Sequence, residues 1–226
     1  MIFPKKEVPQ PEPLIQMNNF KGDQRWYATP KGNYPSITTV LGETADSSWL
    51  ESWKDRVGVA EATAISKSST DVGTDLHSLA EAYVLGLPAP SIKHNLAKIM
   101  FPSLKAKLDK HLTNYSFCEV QMKSDVLRIA GTSDLICAWD MIPTIADYKS
   151  NHKLGSLKKD EWITDYKLQA CGYAQMYYEH TGVKITQGVI LICNGFSCQD
   201  VVFNPYDYFA ELVKRCRMFH ENLDKK

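Results

Sequence analysis

The stretch Thr144-Ile145-Ala146-Asp147-Tyr148-Lys149-Ser150-Asn151 decides the fold. It starts as a buried strand and turns charged at once. Successive side chains on a strand point to opposite faces, so Asp147 and Lys149 share one face. A carboxylate and an ammonium side by side at the end of an apolar run call for an ionic or catalytic reason.

The period of two extends upstream. "FCEVQM" (residues 117–122), a turn at Lys123-Ser124-Asp125, "LRIAGTSDLICAWD" (127–140) and "TIADYK" (144–149) predict three consecutive strands in an antiparallel meander. Each carries one acid in an apolar context: Glu119, Asp134 and Asp147. Three carboxylates on neighbouring strands repel, and an ionised carboxylate in a core costs several kcal/mol unless it is protonated, paired or bound to metal. Hard divalent cations, Mg²⁺ or Mn²⁺, suit such an oxygen-rich cluster. The plainer alternative is three unrelated acids, each at an exposed strand end or paired with a base. A metal beside a lysine suits phosphodiester hydrolysis: the metal lowers the pKa of a water, and the lysine orients that water or stabilises the charge of the pentavalent phosphorus.

Around the meander the pattern is mixed. Four prolines in the first thirteen residues predict an extended, mobile arm over 1–25, with one domain over 26–226 beginning near Trp26. "RWYATPKGNYPSITTV" (25–40) predicts a hairpin and "SSWLESWKDRVGVAEATAIS" (47–66) a helix. "SSTDVGTDLHSLAEAYVLGLP" (68–88) predicts a second helix capped by its Ser/Thr/Asp start, and 91–111 a third. After the meander come a helix from Thr164 to His180 ending at Gly182, a hairpin of "GVILICN" and "CQDVVF", and a last helix begun by Pro205. The expected class is α/β (α+β), a central mixed sheet flanked by helices.

Lys plus Arg and Asp plus Glu balance at 26 each, so a surface for nucleic acid must come from local segregation of charge. Such segregation occurs at Lys93, Lys98, Lys105, Lys107 and Lys110, which meet the single acid Asp109. With His94 and His111 these lysines predict a basic wall, and Tyr34, Trp49, Trp53 and Tyr83 are candidate stacking platforms for single strands. The alternatives are a solvated helix face and core packing. Six scattered cysteines without CxxC spacing predict packed, reduced thiols and no zinc site. No apolar run approaches the ~18 residues of a membrane span, and no signal or transit pattern opens the chain, so a cytoplasmic location is expected. With no GxxxxGK[ST] motif, no nucleotide cofactor is expected.

Taken together, Glu119, "GTSD" ending at Asp134 and "DYK" at 147–149 resemble the core of the PD-(D/E)XK nuclease superfamily, a restriction-endonuclease-like core here joined to an N-terminal helical region. His77 in "GTDLHSLAEAY" and Gln169-x-x-x-Tyr173 in "KLQACGYAQMYY" are similar to the histidine and the QxxxY motif of its RecB-like branch. "YPSITTVL" (34–41), with Trp49 and Trp53, resembles the N-terminal region of small phage, bacterial and mitochondrial exonucleases of that branch. The resemblance implies that His77, Asp134, Asp147 and the Tyr148 carbonyl ligate Mg²⁺ or Mn²⁺. It makes Glu119 a further acidic ligand and Lys149 the catalytic lysine. Gln169 and Tyr173 support the site and the DNA backbone, Ser36 contacts DNA, and 88–115 forms a helical arch for a threaded strand. The cysteines lack the spacing of the branch members that hold an iron-sulfur cluster, so no cluster is expected.

The implied activity is that of a metal-dependent DNA exonuclease preferring single-stranded or frayed ends. It would act in recombination, repair or replication, with proteins of those processes as possible partners. A structure-specific endonuclease with the same site and a noncatalytic DNA-binding module on a nuclease fold are the alternatives. A glycosidase acid pair at Asp134 and Asp147 leaves Lys149 and His77 unexplained. Lys149→Ala is expected to abolish turnover and leave folding and metal binding nearly intact.

Overall fold

The run around Asp147 is the third strand of a meander in the computed structural model, which describes residues 9–18, 24–46, 48–153 and 155–225, the side chains of 49 and 50 excepted. A small antiparallel sheet comes first: β1 (Ile15–Asn18), β2 (Arg25–Thr29) and β3 (Gly32–Pro35). Four helices follow, α1 (Ile37–Thr44), α2 (Ser48–Val57), α3 (Val59–Val84) and α4 (Asn95–His111). The meander β4 (Leu112–Ser124), β5 (Ile129–Trp139) and β6 (Ile142–Ser150) leads through α5 (Thr164–Thr181) to the hairpin β7 (Gln187–Cys193) and β8 (Cys198–Phe203), then to α6 (Phe209–Asp224).

The large sheet has the order β4-β5-β6-β7-β8. Its β6–β7 pair is parallel and the other pairs antiparallel, which makes it the expected mixed sheet. A parallel pair needs a crossover, and α5 supplies it. One face of the sheet packs on α1, α5 and α6 through Ile136, Ile145, Ile190 and Ile192. The other packs on α3 and α4 through Leu135, Cys137, Tyr148 and Leu191.

Helix α5 is buried from Lys167 through Tyr177 on nearly every side, as a central crossover helix must be. Gly182 ends it at φ +73, with its N–H donating to the Tyr178 carbonyl at 2.8 Å. At Gly172 a Cβ would come within 2.0 Å of Ile37 Cδ1, so the missing side chain is what seats α1 on α5.

The structure departs from the sequence-based expectations in three places. Ordered structure starts ahead of Trp26: β1 pairs with β2, and the Leu14 N–H donates to Gln121 Oε1 at 2.8 Å, while residues 1–8 and 19–23 of the expected arm over 1–25 lie outside the described residues. The single helix expected over 47–66 falls on two, α2 from Ser48 and α3 from Val59, broken at Gly58, whose φ of +88 no other residue type adopts at low cost. In turn, Ser68 to Asp71 cap nothing. They lie inside α3, where Thr63, Thr70 and Thr74 donate their hydroxyls to carbonyls four residues back. Among the described residues no helix is long and apolar enough to cross a membrane.

Candidate active site

Three neighbouring strands and one helix deliver the chemistry. The flanking pairs Cys118↔Leu135 and Val120↔Ser133 set Glu119 opposite Asp134. Like charges facing each other across strands are destabilising. The backbone is irregular at that point. Phe117 and Val120 both pack in the α5-side core although they are three residues apart, and Ile129 and Ile136 do the same seven apart. Regular alternation forbids both, so each strand slips by one face between these residues. On β4 the slip coincides with Glu119 at φ +48, a left-handed conformation costly for a side chain with a Cβ.

His77 comes in from α3. Gly73, one turn earlier, lies beside Ser150 at the end of β6, where an added Cβ would make ordinary contact, 3.6 Å from the hydroxyl oxygen. His77 Nε2 lies 2.9 Å from the Tyr148 carbonyl, and in its N–H form it donates there. That leaves Nδ1 facing Asp134 Oδ1 at 3.4 Å and Glu119 Oε1 at 3.7 Å. A histidine held at one nitrogen by a carbonyl, with the other aimed between carboxylates, is arranged as a metal ligand usually is. Ligand atoms of His77, Glu119 and Asp134 all lie within 4.8 Å of one another, so this group could hold a metal ion.

Asp134 is buried, and its Oδ2 accepts the Tyr148 N–H at 2.8 Å, which ties β5 to β6 beside the site. Asp147 is fully buried and stands outside that close group, ion-paired with Lys149. No hydrogen-bond donor is aimed well at either Asp147 oxygen or at Glu119 Oε1 among the described residues. Buried polar atoms left short of donors are uncommon, and three of those in this chain are carboxylate oxygens, one beside the His77 nitrogen on Glu119 and two on neighbouring Asp147. The donor set therefore fits a divalent cation.

The charges reinforce one another. Burial raises the Asp147 pKa to about 6 against the pull of Lys149. Burial also raises Glu119, only partly offset by His77. Asp134 moves the other way: burial would raise it, but the charge of His77 and its hydrogen bond hold it below the usual carboxylate range. Burial by itself would lower His77, and Asp134 and Glu119 more than reverse that. Lys149 stays an ammonium because Asp147 and Asp134 outweigh its desolvation.

Gln169 and Tyr173 are both buried on α5, with Gln169 Nε2 donating to the Tyr173 hydroxyl at 3.0 Å. Tyr173 lies under Gly131, where an added Cβ would come within 2.9 Å of its ring, so this pair props the strand that carries Asp134. The sequence reading missed Tyr166, whose ring centroid lies 5.2 Å from Lys149 Nζ. Its spacing of three from Gln169, on the same helix face, was the available signal.

The expected DNA contacts fare unevenly. Ser36 is fully buried and caps α1, its hydroxyl accepting the Thr39 N–H at 3.0 Å, so it presents no surface to a strand. Lys107 is paired with Asp200 at 2.6 Å and Lys105 with Asp109 at 2.6 Å. Lys93, Lys98 and Lys110 are exposed and have no ion pair among the described residues. His94 binds Asp75, and His111 binds Asp140 while stacking on Trp139. Tyr34 is buried with its hydroxyl on Asp125, and Tyr83 is bonded to Asp109. Trp53 is half-buried, and the Trp49 side chain lies outside the described residues. All six cysteines are free, and the Cys193 and Cys198 sulfurs touch at 3.4 Å across the β7–β8 hairpin.

Fold and site together define a mixed sheet flanked by helices with a histidine, carboxylate and lysine centre at the β4–β6 strands. The chain matches no family model, and no curated protein matches it. Its structure is similar to that of a phage-related exonuclease from Haemophilus somnus 129PT, at 13% identity and a TM-score of 0.35, covering 68% of this chain and 82% of that one. A likeness that loose says nothing about chemistry, which has to be read from the side chains.

Proposed function

We propose that the chain is a metal-dependent DNA exonuclease of the RecB-like kind, hydrolysing phosphodiester bonds from single-stranded or frayed ends. One observation carries the reading. Half-buried Glu119 and buried Asp134 face each other across β4 and β5 with a histidine nitrogen near both, beside a second buried acid, Asp147, paired with a lysine. His77, Glu119 and Asp134 would hold Mg²⁺ or Mn²⁺, with Asp147 at its edge. When bound, such an ion lowers the pKa of a water and offsets charge on the phosphate.

The chain's own residues then divide the work. Asp147 holds the Lys149 ammonium toward the reacting phosphate and Tyr166 backs it with its ring face. From there Lys149 stabilises the charge that grows on the phosphate oxygens and orients the attacking water. Tyr148 contributes through its backbone, positioning His77 with its carbonyl and Asp134 with its N–H. Gln169 and Tyr173 keep β5 in register beneath the site.

The test is digestion of end-labelled single-stranded, duplex and covalently closed circular DNA with Mg²⁺, Mn²⁺ or chelator, alongside Mn²⁺ calorimetry. Linear single strands should disappear only with metal, with circles spared. Asp134→Asn should abolish cleavage and weaken Mn²⁺ binding by about 100-fold or more, because changes even to groups one step removed from a metal cost 10–100-fold. Cut circles would make the enzyme an endonuclease. Wild-type Mn²⁺ affinity in the variant would overturn the metal assignment.

A further inference from the structure

Beyond Lys149 the chain leaves β6 through a loop that the proposed mechanism does not use. It lies outside the carboxyl ends of the parallel pair β6–β7, an edge where open sheets of this kind receive ligands. The loop is fastened to the tip of the β7–β8 hairpin. Asn194 Nδ2 and Asn151 Nδ2 both donate to the Ser156 carbonyl, at 2.9 and 3.0 Å. The Gln199 side chain accepts the Lys158 N–H and donates to the Lys158 carbonyl, each at 3.0 Å. Loop and hairpin tip thus make one built ledge.

Its surface combines cations with exposed aromatic rings. Phe196, at the hairpin tip, is 87% exposed and Trp162 57% exposed. Singly exposed apolar side chains are ordinary on a protein surface, so what sets these two apart is their place among lysines on one ledge. Lys159 Nζ lies 5.3 Å from the Trp162 ring centroid and is partly offset by Glu161 at 3.8 Å. Asp160 is spent on Lys167 at 2.5 Å. Lys153 and Lys158 have no ion pair among the described residues. The Tyr166 ring joins this ledge to the centre, since Lys158 Nζ lies 5.7 Å and Lys149 Nζ 5.2 Å from its centroid.

We infer that this ledge binds the single-stranded DNA segment next to the scissile phosphate, with Trp162 and Phe196 stacking on bases and Lys153, Lys158 and Lys159 on the backbone; the inference rests on the nuclease reading above. Unpaired bases have free faces for two aromatic rings, and their phosphates match the lysines. A blunt duplex hides its bases and can use only the charges. A purely apolar protein partner would leave the lysines without counterions.

The deciding experiment is fluorescence anisotropy of a labelled oligothymidylate and of a blunt duplex, over a salt series with chelator present. Wild type, Phe196→Ala, Trp162→Ala, Lys153→Gln/Lys158→Gln and an α4 control, Lys98→Gln/Lys110→Gln, are compared. Each aromatic change should weaken single-strand binding about 5- to 150-fold and leave duplex binding nearly as it was. The double lysine change should lower the salt slope by about 1.4. Melting temperatures identify any unfolded variant, and Phe196, the most exposed of these side chains, decides the matter if Trp162→Ala is unstable. If the ledge variants bind like wild type while the α4 control fails, the ledge assignment is wrong and the nuclease reading stands. Equal losses on duplex would overturn the single-strand assignment, and a wild type that neither binds nor cuts DNA would overturn both.

Discussion

Strand β4 carries two acid-rich corners, one at its Ser124 end and one around Glu119 in mid-strand, and they are built on opposite plans. At the Ser124 end, Glu179 accepts from Ser124 Oγ, Gln175 Nε2 and the Asp125 and Val126 N–H groups, at 2.5 to 3.3 Å. Asp125 beside it holds Lys31 at 2.9 Å, Lys123 at 2.7 Å and the Tyr34 hydroxyl at 3.1 Å. Around Glu119, that residue is half-buried and Asp147 fully buried, both with too few donors, and Asp134 faces a like charge. The first corner is complete within the chain and serves folding. The second is short of positive charge and could hold a cation from outside.

Lys149 tests that contrast most severely. Lys149→Ala should cut turnover by about 10²- to 10³-fold, the usual loss when one electrostatic partner of a transition state is removed. The structure also corrects the expectation that this change leaves folding intact: it strands a fully buried Asp147, and breaking a buried pair from one side costs about 3–5 kcal/mol. Lys149→Ala/Asp147→Asn should recover much of that stability and remain inactive. Thermal melts beside cleavage assays check both, and a Lys149→Ala protein with unchanged melting temperature would mean that the pair contributes nothing to the fold.

The contrast explains what could be read beforehand. The meander, the Asp147 to Lys149 face and the Gly182 stop were legible because strand period and a left-handed glycine are local properties. Gln169 and Tyr173 were legible only as a motif, and their work under Gly131 needed coordinates. Lys105 looked like a DNA contact although Asp109 was four residues away. Lys107 could not be judged, because its partner Asp200 is remote in sequence. Ser36 was misjudged since a buried cap and a surface contact use the same residue type. β1 was hidden by its proline-rich surroundings, and the break at Gly58 by a pattern that stays helical on both sides. Lys153, Lys158 and Phe196 drew no notice because a loop and a hairpin tip have no period to read.

Glu179 sharpens the comparison from the folding side. Glu179→Ala removes the shared acceptor of four donors, some of them buried, at a cost of about 1–3 kcal/mol. For a chain of this size that lowers the melting temperature by about 2–12 °C. The rise in melting temperature on adding Mn²⁺ should be the same as in wild type. If Glu179→Ala abolished that rise, the two corners would be one coupled unit and the division between them would fail.

The smallest effect is on acid stability. Burial pushes the Asp125 carboxyl up, but its bonds to Lys123, Lys31 and Tyr34 overcome that and hold its pKa at about 2 against an ordinary 3.8. A group whose pKa is lowered on folding adds stability above its unfolded value and loses it as pH falls through the folded value. Asp125 therefore stabilises the fold fully above pH 3.8 and ceases to do so as pH drops past about 2. Melts of wild type and Asp125→Asn should differ most at neutral pH, converge across that window and coincide below it. A gap that persisted in strong acid would mean that the asparagine perturbs packing, and that the corner is held by shape more than by charge.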